Sequence, residues 1–124
     1  MRRTSIISNL VVALAALALS SCSKIYVIRT TETAGGIVFT ISDEDGPLTD
    51  PVCTSLVRVR ERSSKAVAWE ASSSSECQPL TSFRYGVSPQ SIVTTVGPEE
   101  LMSGQEYEVI TAGTTDASGT FIKQ

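Results

Sequence analysis

The sequence predicts an all-β chain, a single small antiparallel β-sandwich of seven or eight strands. Three observations carry this. Short β-branched and aromatic runs alternate apolar with polar residues, the period of a half-buried strand. Clusters of Gly, Pro, Ser and Asp separate them at the spacing of an all-β domain. No comparable stretch of the domain places apolar residues at helical intervals. The expected strands are Ile25–Thr31, Gly36–Ser42, Ser55–Arg62, Lys65–Ala71, Leu80–Tyr85, Ser91–Val96, Gln105–Ala112 and Gly119–Lys123.

Taken in order, Ile25–Thr31 is β-branched and opens either the sheet or a tether that runs on to about Gly35. In Gly36–Ser42, Ile37, Phe39 and Ile41 alternate with Val38, Thr40 and Ser42. Ser55–Arg62 and Lys65–Ala71 form a hairpin. Val57 and Val59 oppose Arg58, Arg60 and Arg62, while Val67 and Trp69 share a face opposite Ala66, Ala68 and Glu70. The Ser63-Ser64 link lacks the Gly or Asn that two-residue primed turns demand, so the turn is expected to extend by a residue at each end. Ser72–Ser75 is a polar tract and reads as a loop. Leu80–Tyr85 and Ser91–Val96 follow as short strands. Pro98–Met102, with Pro at a first-turn position before Glu99 and Glu100, has the pattern of a single helical turn. Tyr107, Val109 and Thr111 alternate with Glu106, Glu108 and Ile110 in the penultimate strand. There is no internal repeat, and 124 residues suffice for one domain with one core.

Charge and composition narrow the function. Ten Lys and Arg against thirteen Asp and Glu give a net charge of −3, so no basic excess exists to follow a phosphate backbone and nucleic acid is not an expected partner. The absence of His removes the commonest general base and transition-metal ligand. No Gly-x-Ser-x-Gly is present, and the one Ser-x-x-Lys spacing, Ser21 to Lys24, straddles an expected cleavage point. No catalytic residue and no cofactor are expected. The cluster Asp43-Glu44-Asp45-Gly46 with Asp50 suggests calcium, but placing Asp43 and Asp45 at the third and fifth loop positions puts Ile41 and Val52 at the first and twelfth. The cluster reads as a solvated turn, and no metal is expected.

Residues 1–21 form an expected signal peptide and signal helix: Arg2 and Arg3, then Ile6, Ile7 and the unbroken apolar run Leu10–Leu19, too short for a bilayer core of about 30 Å. The run ends Leu19-Ser20-Ser21-Cys22, which resembles the lipobox of bacterial lipoproteins. The resemblance implies cleavage before Cys22, a diacylglyceryl thioether on its sulfur and an acylated amine, an anchor well beyond the two-signal threshold for stable membrane attachment. Residues 22–24 are then the anchor and a short tether, and residues 25–124 the domain. An Asp after the lipidated Cys commonly retains such proteins at the inner membrane. Ser23 stands there instead, which implies the periplasmic face of the outer membrane in a Gram-negative source. Removing residues 1–21 takes away two Arg and no acid, leaving eight basic and thirteen acidic residues, a net charge of −5.

In that oxidising compartment the remaining cysteines, Cys53 and Cys77, are read as a disulfide. The loop it would close supplies about 3.5 kcal/mol in the chain-entropy description. A redox pair or metal ligands would want Cys-x-x-Cys spacing or a nearby His, and neither is present.

Leu101-Met102-Ser103-Gly104-Gln105-Glu106-Tyr107, followed by Val109, is similar to the tyrosine-corner region of fibronectin type III and other immunoglobulin-like domains. The resemblance implies an immunoglobulin-like sandwich. Ser103 replaces the usual Pro, and Val109 stands where an antibody domain has Cys, so a Cys53–Cys77 bridge would not be the immunoglobulin one.

Two functional classes remain. A noncatalytic envelope lipoprotein that serves a structural or protein-interaction purpose predicts an exposed apolar patch or an unpaired sheet edge. A ligand-binding sandwich for glycan or anionic lipid predicts outward aromatics, with Phe83 and Tyr85 as candidates. Arg58, Arg60 and Arg62, about 7 Å apart on one strand face, can meet an anionic surface or pair with Glu70, Glu106 and Glu108 across strands.

Overall fold

A computed structural model of the chain describes residues 25–74, 76–89 and 91–124. The signal peptide, Cys22, the tether, Ser75 of the polar tract and Gln90, directly before the expected sixth strand, lie outside the described residues. These contain ten strands and no helix: β1 (Val27–Thr33), β2 (Gly36–Asp43), β3 (Gly46–Pro47), β4 (Val52–Glu61), β5 (Val67–Ser72), β6 (Gln78–Leu80), β7 (Ser82–Arg84), β8 (Val93–Val96), β9 (Glu106–Gly113) and β10 (Ala117–Ile122). The fold is all-β.

Hydrogen bonds connect the strands in one path, β3-β2-β1-β10-β9-β4-β5-β8, with β7 on β2 and β6 on β4. All pairs are antiparallel except β1–β10, which meet in parallel at Val27 and Ser118, so the sheet is mixed rather than purely antiparallel. The path folds back on itself. Trp69 on β5 and Phe83 on β7 lie near opposite ends of it, yet their ring centroids are 6.3 Å apart. Phe39 on β2 likewise approaches Phe121 on β10 at 5.5 Å. Two layers thus face each other across an aromatic core, and the parallel β1–β10 pair joins them.

The expected alternation produces this core. Ile37, Phe39 and Ile41 from β2, Val57 and Val59 from β4, and Tyr107 and Val109 from β9 are buried. Each fully buried aliphatic or Phe side chain contributes about 1.5–3 kcal/mol relative to exposure. Thr111, Thr54 and Ser42 are also fully buried, which places hydroxyls among the apolar groups.

Four local expectations need correction. Leu80–Tyr85 is not one strand, because Leu80 ends β6 on β4 whereas Ser82 begins β7 on β2, the chain crossing layers at Thr81, whose carbonyl accepts from Ile41 N–H at 2.9 Å. Two pairing partners cannot be read from one run of sequence. Val67 does not share the inner face with Trp69. Val59 pairs Trp69 but Arg60 pairs Val67, so a bulge at Ala68 turns Val67 to the outer face beside Arg60. Pro98–Met102 makes no helical turn; the segment is instead tied to β5, with Glu99 N–H donating to Ala68 O at 2.9 Å. The chain passes so close there that a Cβ on Gly97, at φ +71°, would lie 2.1 Å from Ala68 O. The split strand and the two-residue β3 bring the total to ten rather than seven or eight.

The β4–β5 turn is longer than two residues, as expected. Glu61 N–H donates to Ala66 O and Lys65 N–H to Glu61 O, both at 2.9 Å, and Lys65 takes the left-handed conformation that Gly would otherwise supply. Before β9, Met102 N–H donates to Tyr107 Oη at 2.9 Å while Leu101 is buried. This bond back to upstream backbone is the geometry of a tyrosine corner.

Candidate functional site

The Arg stripe lies on the outer face of β4 and its end, and every guanidinium carries a carboxylate. Arg58 bonds Glu70 on β5 at 2.5 Å, Arg60 bonds Glu108 on β9 at 3.1 Å, and Arg62 holds both oxygens of Glu106 at 3.0 Å. Lys65 adds a second cation to Glu108 at 2.5 Å. The hydrogen bond from Lys65, followed by that from Arg60, holds the Glu108 carboxyl below its ordinary range. Strand register causes the pairing, because Arg58 sits opposite Glu70 and Arg60 opposite Glu108. Such exposed pairs each contribute a few tenths of a kcal/mol. They also leave no guanidinium of the stripe without a carboxylate, which removes the unpaired positive stripe that an anionic ligand would seek.

The two candidate aromatics turn inward. Phe83 is buried against Phe39 at 5.1 Å, and Tyr85 packs edge-on against Trp69 at 5.6 Å. Tyr85 Oη donates to Glu99 O, with Ala68 O also 3.5 Å away. Burial, then the neighbouring Tyr107 and Glu99, pushes the Tyr85 phenol up to about 12. Trp69 is fully buried. None of the three offers an open ring face for a sugar. An open groove of 470 Å³ is lined by Arg62, Ser63, Gly104, Gln105 and Glu106, but its two charges are spent on each other.

The acidic turn Asp43–Gly46 joins β2 to β3, with Asp45 N–H donating to Asp43 Oδ1 at 2.9 Å. Among the described residues no group of three or more Cys, Asp or Glu is placed to hold a metal ion. Cys53 and Cys77 lie at disulfide distance, Cα to Cα 5.1 Å. Cys53 is near the start of β4 and Cys77 directly precedes β6, so the pair closes a loop that holds the β4–β5 hairpin and the connection to β6, which also pairs with β4.

What the structure adds is the edge at β8. This strand pairs with β5 through Val93–Ser72, Thr94–Ala71 and Val96–Glu70, and among the described residues no strand pairs with its other side. The inner side is tied to the core: Trp69 Nε1–H donates to Thr94 Oγ1 at 3.3 Å, and Thr94 Oγ1 lies 2.5 Å from Ser88 Oγ. Val93, 66% exposed, and Val87, 57% exposed, stand beside this edge. Between Arg84 and Glu99 the chain has no charged residue, so the edge lacks the Lys or inward charge by which sheets usually block strand addition. That uncharged run was visible in the sequence. Its meaning was not, because an edge strand and a central strand look alike until the pairing is known.

No protein-family model matches this chain, and no curated protein matches its sequence.

Proposed function

We propose that this protein is a noncatalytic cell-envelope lipoprotein in which lipid on Cys22 holds an immunoglobulin-like β-sandwich at the membrane. There it offers the edge of β8 to an extended segment of a protein partner. The open, uncharged β8 edge with Val87 and Val93 beside it carries the interaction reading. Strand addition at such an edge gains main-chain hydrogen bonds, and the alternate side chains supply specificity. The tyrosine-corner bond of Tyr107 supports the immunoglobulin-like assignment. The Leu19-Ser20-Ser21-Cys22 motif supports the lipid anchor, Ser23 supports the outer membrane, and the spacing of Cys53 and Cys77 supports a disulfide formed in the periplasm. The glycan or anionic-lipid reading loses its aromatic and cationic candidates to the core and to ion pairs.

The test places a photo-crosslinking residue at Val93 and, as a control, at Thr31 on the exposed side of β1, in cells that express the full chain. The expected result is one discrete protein adduct from position 93, none from position 31, and release of the chain from membranes by Cys22→Ala. Membrane retention of Cys22→Ala refutes the anchor. Absence of a protein adduct at 93, with retention of the domain on a glycan column, refutes the interaction reading.

A further inference from the structure

The strand directions sort the charges of the domain by end. β1 and β10 run together, β2 runs against β1, β9 against β10, β4 against β9 and β5 against β4. The start of β1 therefore shares one end of the sandwich with the β2–β3 turn, the start of β4, the loop after β5 and the β9–β10 turn. Asp43, Glu44, Asp45, Asp50, Glu76 and Asp116 belong to that end, and among the described residues no Lys or Arg belongs to its turns. Arg62, Lys65, Arg84 and Lys123 belong to the opposite end together with Glu32, Glu61, Glu99, Glu100 and Glu106, so that end is close to neutral. The net negative charge of the domain is thus concentrated where the described chain begins.

The same end carries exposed apolar side chains. Ile25 is 79% and Val27 38% exposed, and both line one surface depression with Arg29, Asp43 and Glu44. Cys22 and Ile25 are three residue steps apart, and a fully extended chain reaches at most about 11 Å over that span. That is close to the Debye length, about 10 Å at 0.1 M salt and 30 Å at 0.01 M.

We propose that this end of the sandwich is a membrane-facing surface whose occupant is the phospholipid headgroup layer. Ile25 and Val27 settle into the boundary of a zwitterionic bilayer. The carboxylates of the Asp43–Asp45 turn are repelled by anionic headgroups, which lift the domain to the limit of its tether. The opposite end, with the Arg62–Lys65 turn, points away. The inference rests on the lipid reading of Cys22 and adds to it the orientation and the lipid dependence.

The experiment uses the full chain purified from membranes, its Cys22 adduct verified by mass, in vesicles of phosphatidylcholine with or without phosphatidylglycerol. Fluorophores are placed through Thr49→Cys at the acidic end and Ser63→Cys at the other, and quenching by a headgroup-linked nitroxide is read. The expected result is severalfold stronger quenching at position 49 than at 63 in zwitterionic vesicles. Phosphatidylglycerol reduces it at low salt, added salt restores it, and the combined Asp43→Asn, Glu44→Gln and Asp45→Asn variant loses the lipid dependence. Equal quenching at the two positions, stronger quenching at 63, or indifference to phosphatidylglycerol overturns the proposal. A protein with no lipid mass on Cys22 and no vesicle association sinks the anchor reading as well, whereas a lipidated protein with the wrong orientation sinks this surface alone.

Discussion

Replacing Tyr107 by Phe isolates one hydrogen bond at the corner where the chain enters β9. The ring is buried and stacked on Phe121, centroids 5.7 Å apart and planes 27° apart, and Phe retains both the area and the stacking. What is lost is the acceptor for Met102 N–H. A net intramolecular hydrogen bond contributes about 0.5–1.5 kcal/mol, and a donor left without any partner costs about 1–3 kcal/mol. Met102 is 69% exposed, so water can reach its N–H and the cost should fall near the lower values, about 1–1.5 kcal/mol. For a domain of this size that lowers Tm by roughly 5–10 °C. Trp69, the single Trp and fully buried, reports urea and thermal unfolding directly. The midpoint should fall with the slope unchanged, as for a loss of stability without a change in the unfolded state. Tyr107→Ala, which also deletes the ring, should cost about 3–5 kcal/mol. If Tyr107→Phe shifts stability by less than about 0.5 kcal/mol, the ordinary range for surface changes, the corner bond does not hold the β9 entry and the reasoning fails.

Other outcomes follow from the same geometry. Reducing Cys53–Cys77, or replacing both by Ala, should lower stability by about 3.5 kcal/mol through the restored freedom of the unfolded chain; equal urea midpoints with and without reductant would show that the pair is not bridged. Glu108 and Glu32 have carboxyls held below their ordinary value of 4.5, chiefly by hydrogen bonds from Lys65 and Lys123. A lowered folded value means the stabilisation is present above 4.5 and is lost as pH falls through the lowered values. Acid titration of the midpoint should therefore steepen below about pH 4.5, and Glu108→Gln should flatten it; an unchanged acid profile in that variant contradicts the ion-pair assignment. Tyr85 has the opposite sign. Its raised value means stability present below 10 and lost as pH rises through about 12, so Tyr85→Phe should blunt alkaline unfolding monitored over that window.

The all-β class was legible because its cause is local. Alternation in Ile37-Val38-Phe39-Thr40-Ile41 and in Tyr107–Thr111 states which side chains avoid water, and Leu101, Gly104 and Tyr107 announce a corner whose bond spans only five residues. Turn chemistry was legible for the same reason, as at Ser63-Ser64, where the missing Gly foretold a longer loop that Lys65 closes. The Arg stripe was legible as a stripe, but choosing between a ligand and the Glu residues required the register that sets Arg58 beside Glu70 and Arg60 beside Glu108. Long-range pairing also decided the bulge at Ala68, the crossing at Thr81 and the bond of Glu99 N–H to Ala68 O. It decided too that Phe83 faces Trp69 and that β8 lies at an edge. Strand periodicity says which face of a segment is apolar, whereas the identity of the neighbouring strand depends on contacts tens of residues away. The sequence by itself therefore determined the class and most of the composition of the core. Only the tertiary structure decided which surfaces were consumed by pairing and which were left open.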